Sequence, residues 1–180
     1  MKKIIAFAGS NSSTSINHAF VSFAASCVSQ CEVKIIKLVD YSLPMFSEDI
    51  EKEKGYSVEL MMLNNELKAA DGVLLSVNEH NGTVSAFFKN VLDWLSRLDR
   101  NFLDGKKVML MSTSNGKRGA ASALEYTKGS LPRFGAEIIE SFAFPSFSEN
   151  FSKEENKITN ELLHLGFMEV LQNFEHQLLK

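Results

Sequence analysis

The sequence has only two cysteines, and its histidines are scattered. Cys27 and Cys31 are separated by three residues, which is neither the C-x-x-C spacing of redox centres nor part of a zinc-ligand pattern. We therefore expect two free, partly buried thiols. The four histidines form no ligand pair at helical spacing. The sequence predicts no metal site.

Long apolar runs and basic blocks are also missing. No apolar run approaches the roughly 20 residues that a membrane-spanning helix needs. The run from Ile4 to Ala8 is too short for the core of a signal peptide. The net charge of −3 and the absence of any Lys/Arg-rich block argue against a nucleic-acid-binding surface. We expect a cytoplasmic protein that binds neither membranes nor nucleic acids.

Several common catalytic signatures do not occur. The chain has no nucleophile elbow, no Walker A loop and no zinc-binding H-E-x-x-H helix. The G-x-G-x-x-G fingerprint of dinucleotide-binding domains is missing from the first strand-to-helix turn. The sequence thus identifies no catalytic side chain.

Strand-like and helix-like segments instead alternate along all 180 residues, which we interpret as one domain over residues 1–180. Apolar runs predict strands at 3–8, 32–38, 72–77, 107–112 and 136–142. Helical periodicity predicts helices at 15–29, 56–70, 83–98, 119–132 and 153–179, with 39–55 irregular. This alternation predicts an α/β fold, a three-layer flavodoxin-like sandwich with a five-stranded parallel sheet in the order 2-1-3-4-5 and helices on both faces.

Three of the predicted loops have unusual compositions and follow strands that are neighbours in this order. The first, from Ala8 to Asn17, is rich in hydroxyl side chains and ends in a helix, so it suits either a phosphate or an ordinary helix cap. The second, from Val77 to Thr83, contains Asn and Gly residues that favour a tight turn. The third, from Ser112 to Gly119, is small and polar. Together they predict one ligand site at the carboxyl edge of the sheet.

The same residues resemble the NAD(P)H-dependent FMN reductases of the flavodoxin-like superfamily. That family carries G-S-x-R-x-x-S-x-N after its first strand and P-E-Y-N-G-S-x-P-G-x-L-K-N-x-x-D-W after its third. The first motif is matched at Gly9, Ser10, Ser15 and Asn17, and the second at Glu79, Asn81, Gly82, Lys89, Asn90, Asp93 and Trp94. Ser12 stands where the family has arginine, Asn78 and His80 replace its proline and tyrosine, and Ser85-Ala86 replace its Pro-Gly.

The resemblance implies a site for FMN, with NADPH or NADH as hydride donor and a quinone, free flavin, azo compound or similar small molecule as acceptor. It implies that Ser10, Ser12, Ser15, Ile16 and Asn17 hold the FMN phosphate. It also implies that the isoalloxazine ring lies between Asn78, Glu79, His80, Asn81 and Gly82 on one side and Ser114, Asn115, Gly116 and Gly119 on the other.

The family helix that carries the second motif lies at a subunit interface. The resemblance therefore implies a homodimer or homotetramer, with Asp93 and Arg97 in intersubunit pairs. Two alternatives to a reductase stay open at this stage. One is an FMN carrier without nicotinamide turnover, and the other is a flavodoxin-like interaction protein that has lost its flavin. Lys117 and Arg118 fit either a contact with nicotinamide-nucleotide phosphates or solvated loop charges.

Overall fold

The computed structural model describes residues 1–180 and contains a five-stranded parallel sheet. The elements follow in chain order as β1 (Lys3–Ala8), α1 (Ile16–Cys27), β2 (Glu32–Ile35), α2 (Glu48–Lys54), α3 (Val58–Ala69), β3 (Gly72–Val77), β4 (Glu79–His80), β5 (Thr83–Val84), α4 (Ala86–Leu98), β6 (Lys107–Thr113), α5 (Ala121–Ser130), β7 (Glu137–Phe144), α6 (Phe147–Asn150), β8 (Phe151–Ser152), β9 (Lys157–Ile158) and α7 (Glu161–Leu179). The sheet order is β2-β1-β3-β6-β7, which confirms the predicted order 2-1-3-4-5 and the predicted fold class.

Two hydrophobic cores lie on opposite faces of this sheet because successive strand residues point to opposite sides. On one face Ile5 and Phe7 pack with the buried sides of α3, α4 and α5. On the other face Ile4 and Ala6 pack with α1 and α7 and with a cluster of phenylalanines. Both faces of the central strands are therefore covered, as their continuous apolar sequences indicate.

Several predicted bounds differ from the structure, and three of these differences have a clear local cause. The helix expected from Thr83 begins at Ala86, because Thr83 and Val84 form a strand of a small hairpin with β4. The segment 39–55, expected to be irregular, contains α2, whose start is capped by the Ser47 side chain. The last helix begins at Glu161 rather than Lys153, because the short β8–β9 hairpin precedes it.

The helix α4 holds the segment before α2 in place. Its Asn90 side chain accepts a hydrogen bond from Phe46 N (2.7 Å) and donates to Pro44 O (2.9 Å). The indole N–H of Trp94 donates to the same carbonyl oxygen at 2.8 Å. The Asn and Trp of the K-N-x-x-D-W motif therefore have a structural role within the chain.

The charged residues of α4 have partners in the same chain. Asp93 pairs with Lys89 one turn earlier, and Arg97 forms a forked contact with Glu51 of α2. Within one chain Asp93 and Arg97 thus already have partners, and their expected intersubunit role stays a prediction. The Arg97 guanidinium lowers the pKa of the Glu51 carboxyl.

Both cysteines are free and half-buried, and burial raises the pKa of each thiol. None of the helices has the length and apolarity that a membrane crossing needs.

Candidate functional site

The register of the sheet brings the three predicted loops to one edge. Ala8 of β1 is paired with Ser76 of β3, and Val77 of β3 is paired with Ser112 of β6. The three strands therefore end side by side, and the loops that follow them are neighbours. A further backbone hydrogen bond, from Gly9 N to Ser76 O at 2.9 Å, continues the pairing into the first loop.

The side chain of Asn17 connects the ends of these strands. It is buried, its Oδ1 accepts from Ser76 Oγ (2.8 Å) and Thr113 N (3.1 Å), and its Nδ2 donates to Thr113 O (3.1 Å). These bonds direct the side chain into the sheet edge, and the backbone N–H of Asn17 has no acceptor within the chain. The side chain fixes α1 to β3 and β6 beneath the loops.

The first loop, residues 9–15, is held by its own hydroxyl groups. Ser10 Oγ accepts from Ser12 N, Ser12 Oγ accepts from Thr14 N, and Ser15 Oγ caps α1 by accepting from His18 N at 3.1 Å. Several backbone N–H groups of this region donate to no acceptor within the chain. They belong to Ser10, Asn11, Ser13, Ile16 and Asn17. Free N–H groups at the positive end of a helix suit an anion.

Gly9 allows α4 to begin directly beneath the first loop. A Cβ at this position would lie 2.8 Å from Cγ of the buried Phe88, so no larger residue fits without a shift. The Ser85 hydroxyl, which caps α4 by accepting from Phe88 N, also donates to Gly9 O at 2.8 Å. The start of α4 and the first loop are therefore packed as one unit.

The second loop is a tight hairpin. Strands β4 and β5 are joined by Asn81 and Gly82, whose φ angles are +52° and +82°. Positive φ at both central residues defines a type I′ turn, for which Asn-Gly is the preferred sequence. The turn residues and the neighbouring His80 are exposed.

Glu79 of β4 joins the second loop to α5. Its Oε2 accepts hydrogen bonds from Ser122 N (3.0 Å) and Ala123 N (3.2 Å). The first turn of α5 needs this help because Ala120, which precedes the helix, has no side chain that accepts a hydrogen bond. The Glu79 carboxylate is thus used within the protein and orients the hairpin relative to the third loop.

The third loop, residues 114–120, is fixed by the segment after β7. Gly116 O accepts from Ser146 N (3.0 Å), Ser114 O accepts from Phe147 N (3.0 Å), and Asn115 Oδ1 accepts from Ser148 N (3.3 Å). Lys117 and Arg118 are exposed and form no ion pair. The loop therefore presents two free cations on a fixed backbone.

A cleft of about 340 Å³ opens beside the first loop. Its lining combines loop hydroxyls with residues from elsewhere: Ala8, Ser10, Asn11, Ser12, Ser13, His18, Lys37, Leu38, Val39 and Asp40. Burial lowers the pKa of His18, and the nearby Lys37 lowers it further. Sequence reasoning missed His18 and Lys37, because it placed Lys37 inside a longer second strand, whereas β2 ends at Ile35.

The predicted residues have the chemistry that FMN needs. The first loop offers hydroxyls and free N–H groups, and the second and third loops add polar backbone groups at the same edge of the sheet. Asn78, between β3 and the hairpin, has a buried Oδ1 with no hydrogen-bond partner. A buried acceptor without a partner is unusual in a folded protein, and here it lies beside the second loop.

Comparisons with known proteins agree with this arrangement. The sequence profile of the NADPH-dependent FMN reductases matches residues 2–149, a range that contains all three loops. The chain belongs to this family. The family pairs FMN with a reduced nicotinamide nucleotide, and its chemistry is that of an oxidoreductase.

Individual relatives fall into the same group. A quinone reductase of Escherichia coli K12 is 35% identical over 79 residues, which are 44% of this chain and 42% of that enzyme. The chain therefore aligns with less than half the length of this relative. An NAD(P)H-dependent FMN reductase of Pseudomonas aeruginosa is 28% identical over 130 residues, covering 72% of this chain and 69% of the relative.

A solved structure shares the fold over its full length. The flavoenzyme NAD(P)H:acceptor oxidoreductase FerB from Paracoccus denitrificans superposes with a TM-score of 0.83. The match covers 99% of this chain and 97% of FerB at 21% identity. An azoreductase of Bacillus anthracis matches with a TM-score of 0.63 at 17% identity, covering 98% of this chain and 100% of the azoreductase.

Proposed function

We propose that the chain binds FMN at the carboxyl edge of its sheet and uses NADPH or NADH to reduce a quinone, flavin, azo compound or similar small molecule. The observation that carries this proposal is the first loop, where free backbone N–H groups and hydroxyls gather at the start of α1. Family membership supports the cofactor, and the quinone reductase and azoreductase relatives support the class of acceptor.

In this proposal the phosphate lies at the first loop. The hydroxyls of Ser10, Ser12 and Ser15 and the N–H groups of Ile16 and Asn17 surround it. Hydrogen bonds to a charged acceptor contribute about 1.5–3 kcal/mol each, more than neutral ones. The helix dipole of α1 adds a favourable field at the same position.

The flat ring lies between the second and third loops. Asn78, Glu79, His80, Asn81 and Gly82 border one side, with the N–H groups of the hairpin turn directed at the ring edge. Ser114, Asn115, Gly116 and Gly119 border the other side. Bound FMN supplies the redox chemistry, which is the acceptance of a hydride and the delivery of electrons to an acceptor. The side chains orient and bind, and none is needed as an acid or base.

The first test is an absorbance spectrum of the protein after incubation with FMN and removal of free ligand. We expect retained flavin bands that are bleached by NADPH or NADH under anaerobic conditions and restored by a quinone. Retained flavin without bleaching would instead indicate an FMN carrier. Failure to retain flavin at any FMN concentration would overturn the proposal in favour of a flavin-less interaction protein.

We also propose that the protein works in the cytoplasm as a homodimer or homotetramer. The assembly is supported by an exposed apolar stripe on α3, formed by Val58, Met61 and Met62 at helical spacing. Such a stripe on an outer helix fits burial against a second copy. Light scattering during size-exclusion chromatography should give twice or four times the chain mass of 20.1 kDa. A monomer mass at micromolar concentration would contradict the assembly.

A further inference from the structure

The first loop, where the proposed function places the phosphate, has no positively charged side chain. Between Lys3 and Lys34 the chain has neither lysine nor arginine, so the loop and the whole of α1 are free of permanent cations. The loop therefore meets a phosphate dianion with neutral donors only. Because a phosphomonoester carries close to two negative charges at neutral pH, a nearby cation adds both affinity and selectivity.

A cation is present in the cleft beside this loop. Lys37 follows β2, the strand next to β1, and lines the cleft with Ser10, Ser12 and Ser13. Its ammonium group forms no ion pair and no hydrogen bond, although Asp40 lines the same cleft. Lys34, three residues earlier, behaves differently and pairs with Glu66 at 2.6 Å. Lys37 is thus an unpaired positive charge beside hydroxyl groups that can donate hydrogen bonds to an anion.

His18 brings a second ionisable group to the cleft. It occupies the third position of α1, and its ring is half-buried. The charged groups that line the cleft with it are Lys37 and Asp40. Burial lowers the pKa of His18, and the positive charge of Lys37 lowers it further. Protonated His18 and Lys37 therefore repel each other when no anion lies between them. An anion in the cleft reverses this balance and favours the protonated ring.

We propose that Lys37, assisted by His18, forms the cationic side of the phosphate site and makes it selective for a phosphomonoester. This inference rests on the proposed function and specifies how the same site distinguishes its ligands. The chemistry is shared by the 5′-phosphate of FMN and the 2′-phosphate of NADPH. Lys37 lines the cleft beside the first loop, where the FMN phosphate is proposed to lie. We therefore expect Lys37 to distinguish FMN from riboflavin, which lacks the phosphate.

The decisive experiment compares dissociation constants for FMN and riboflavin in wild type, Lys37→Gln and Lys37→Arg. We expect Lys37→Gln to weaken FMN binding by about two- to fivefold at low salt, the range for an ion pair made by an exposed side chain. Riboflavin binding should not change, and Lys37→Arg should restore most of the FMN affinity. The difference should shrink at high ionic strength.

Lys52→Gln is the matched control. Lys52 lies on α2, outside the cleft lining, with 74% of its side chain exposed, so its substitution removes the same charge without changing the cleft. Equal losses in both Gln variants would mean that only net charge matters and would overturn the proposal. Since Lys37 has no partner in the fold, Lys37→Gln should unfold at the same temperature as wild type.

Two further measurements show whether Lys37 contacts the phosphate of FMN or that of NADPH, and they test this inference independently of the proposed function. A change in the NADPH-to-NADH ratio of binding, with FMN unaffected, would assign the site to the 2′-phosphate. Unchanged affinity for FMN, riboflavin, NADPH and NADH would refute the cationic role. An NMR titration should show the His18 pKa rising when inorganic phosphate or FMN is added. The phosphate titration works even if the wild type fails to retain flavin, so the two proposals fail separately.

Discussion

Replacing Asn17 with alanine should destabilise the protein by about 3 kcal/mol, because it removes three buried hydrogen bonds and leaves polar groups of Ser76 and Thr113 unpaired. Each unpaired buried group costs about 1–3 kcal/mol. For a chain of this size the midpoint of thermal unfolding should fall by about 6–12 °C. Thermal unfolding followed by circular dichroism measures the change.

The same variant tests whether the Asn17 side chain positions the elements that surround the proposed FMN site. Its side chain is directed into the sheet edge and not toward the first loop's free N–H groups, so it acts on FMN only by positioning α1, β3 and β6. Asn17→Ala should therefore weaken FMN binding through the displaced start of α1, and riboflavin binding as well, because β3 and β6 carry the loops proposed to border the ring. Unchanged riboflavin binding would show that the side chain does not position the loops that follow β3 and β6.

Asn115→Ala provides the comparison. Asn115 is exposed in the third loop and accepts one hydrogen bond, from Ser148 N at 3.3 Å. The same Asn-to-Ala change should cost less than about 0.5 kcal/mol there, as is usual for exposed positions. Equal destabilisation by the two substitutions would contradict the assignment of Asn17 as the link between the strands.

The sheet was predictable because its signal is local. The buried strands β1 and β3 have continuous apolar sequences, and their predicted bounds agree with the structure. The strand order followed from chain length and the missing dinucleotide fingerprint. Ends of elements were less predictable, since Asn81-Gly82 specify a hairpin that competes with the helical pattern starting at Thr83.

The loops of the candidate site were predictable, but the use of each side chain was not. The family resemblance implies ligand contacts for both Glu79 and Asn17. In the structure the Glu79 carboxylate caps α5, and the Asn17 amide joins β3 and β6. Such long-range partners leave no periodic trace in the sequence. Lys37 was missed because the predicted second strand ran on to Leu38, whereas β2 ends at Ile35, and because the loop hydroxyls near it come from a distant part of the sequence.

The third loop depends on a glycine that no other residue can replace. Gly119 has a φ of +57°, and a Cβ there would lie 2.6 Å from Phe144 O and 2.7 Å from Phe144 C. Both contacts are with the backbone of β7, which cannot move aside as a flexible side chain does. Its own carbonyl also accepts from Ser112 Oγ at 2.7 Å, so the loop is fixed from both sides.

Gly119→Ala should therefore destabilise the protein by about 3 kcal/mol or more, combining roughly 1–2 kcal/mol of left-handed strain with about 1–3 kcal/mol of overpacking. The FMN that is retained should fall with it, because the third loop and β7 must separate. Gly116→Ala in the same loop is the control. Its φ is not positive and its nearest neighbour is Ser114 Oγ at 3.5 Å, an ordinary contact, so we expect nearly wild-type unfolding. If chemical denaturation gives the two variants equal stability, the close approach of Gly119 to Phe144 does not fix the loop.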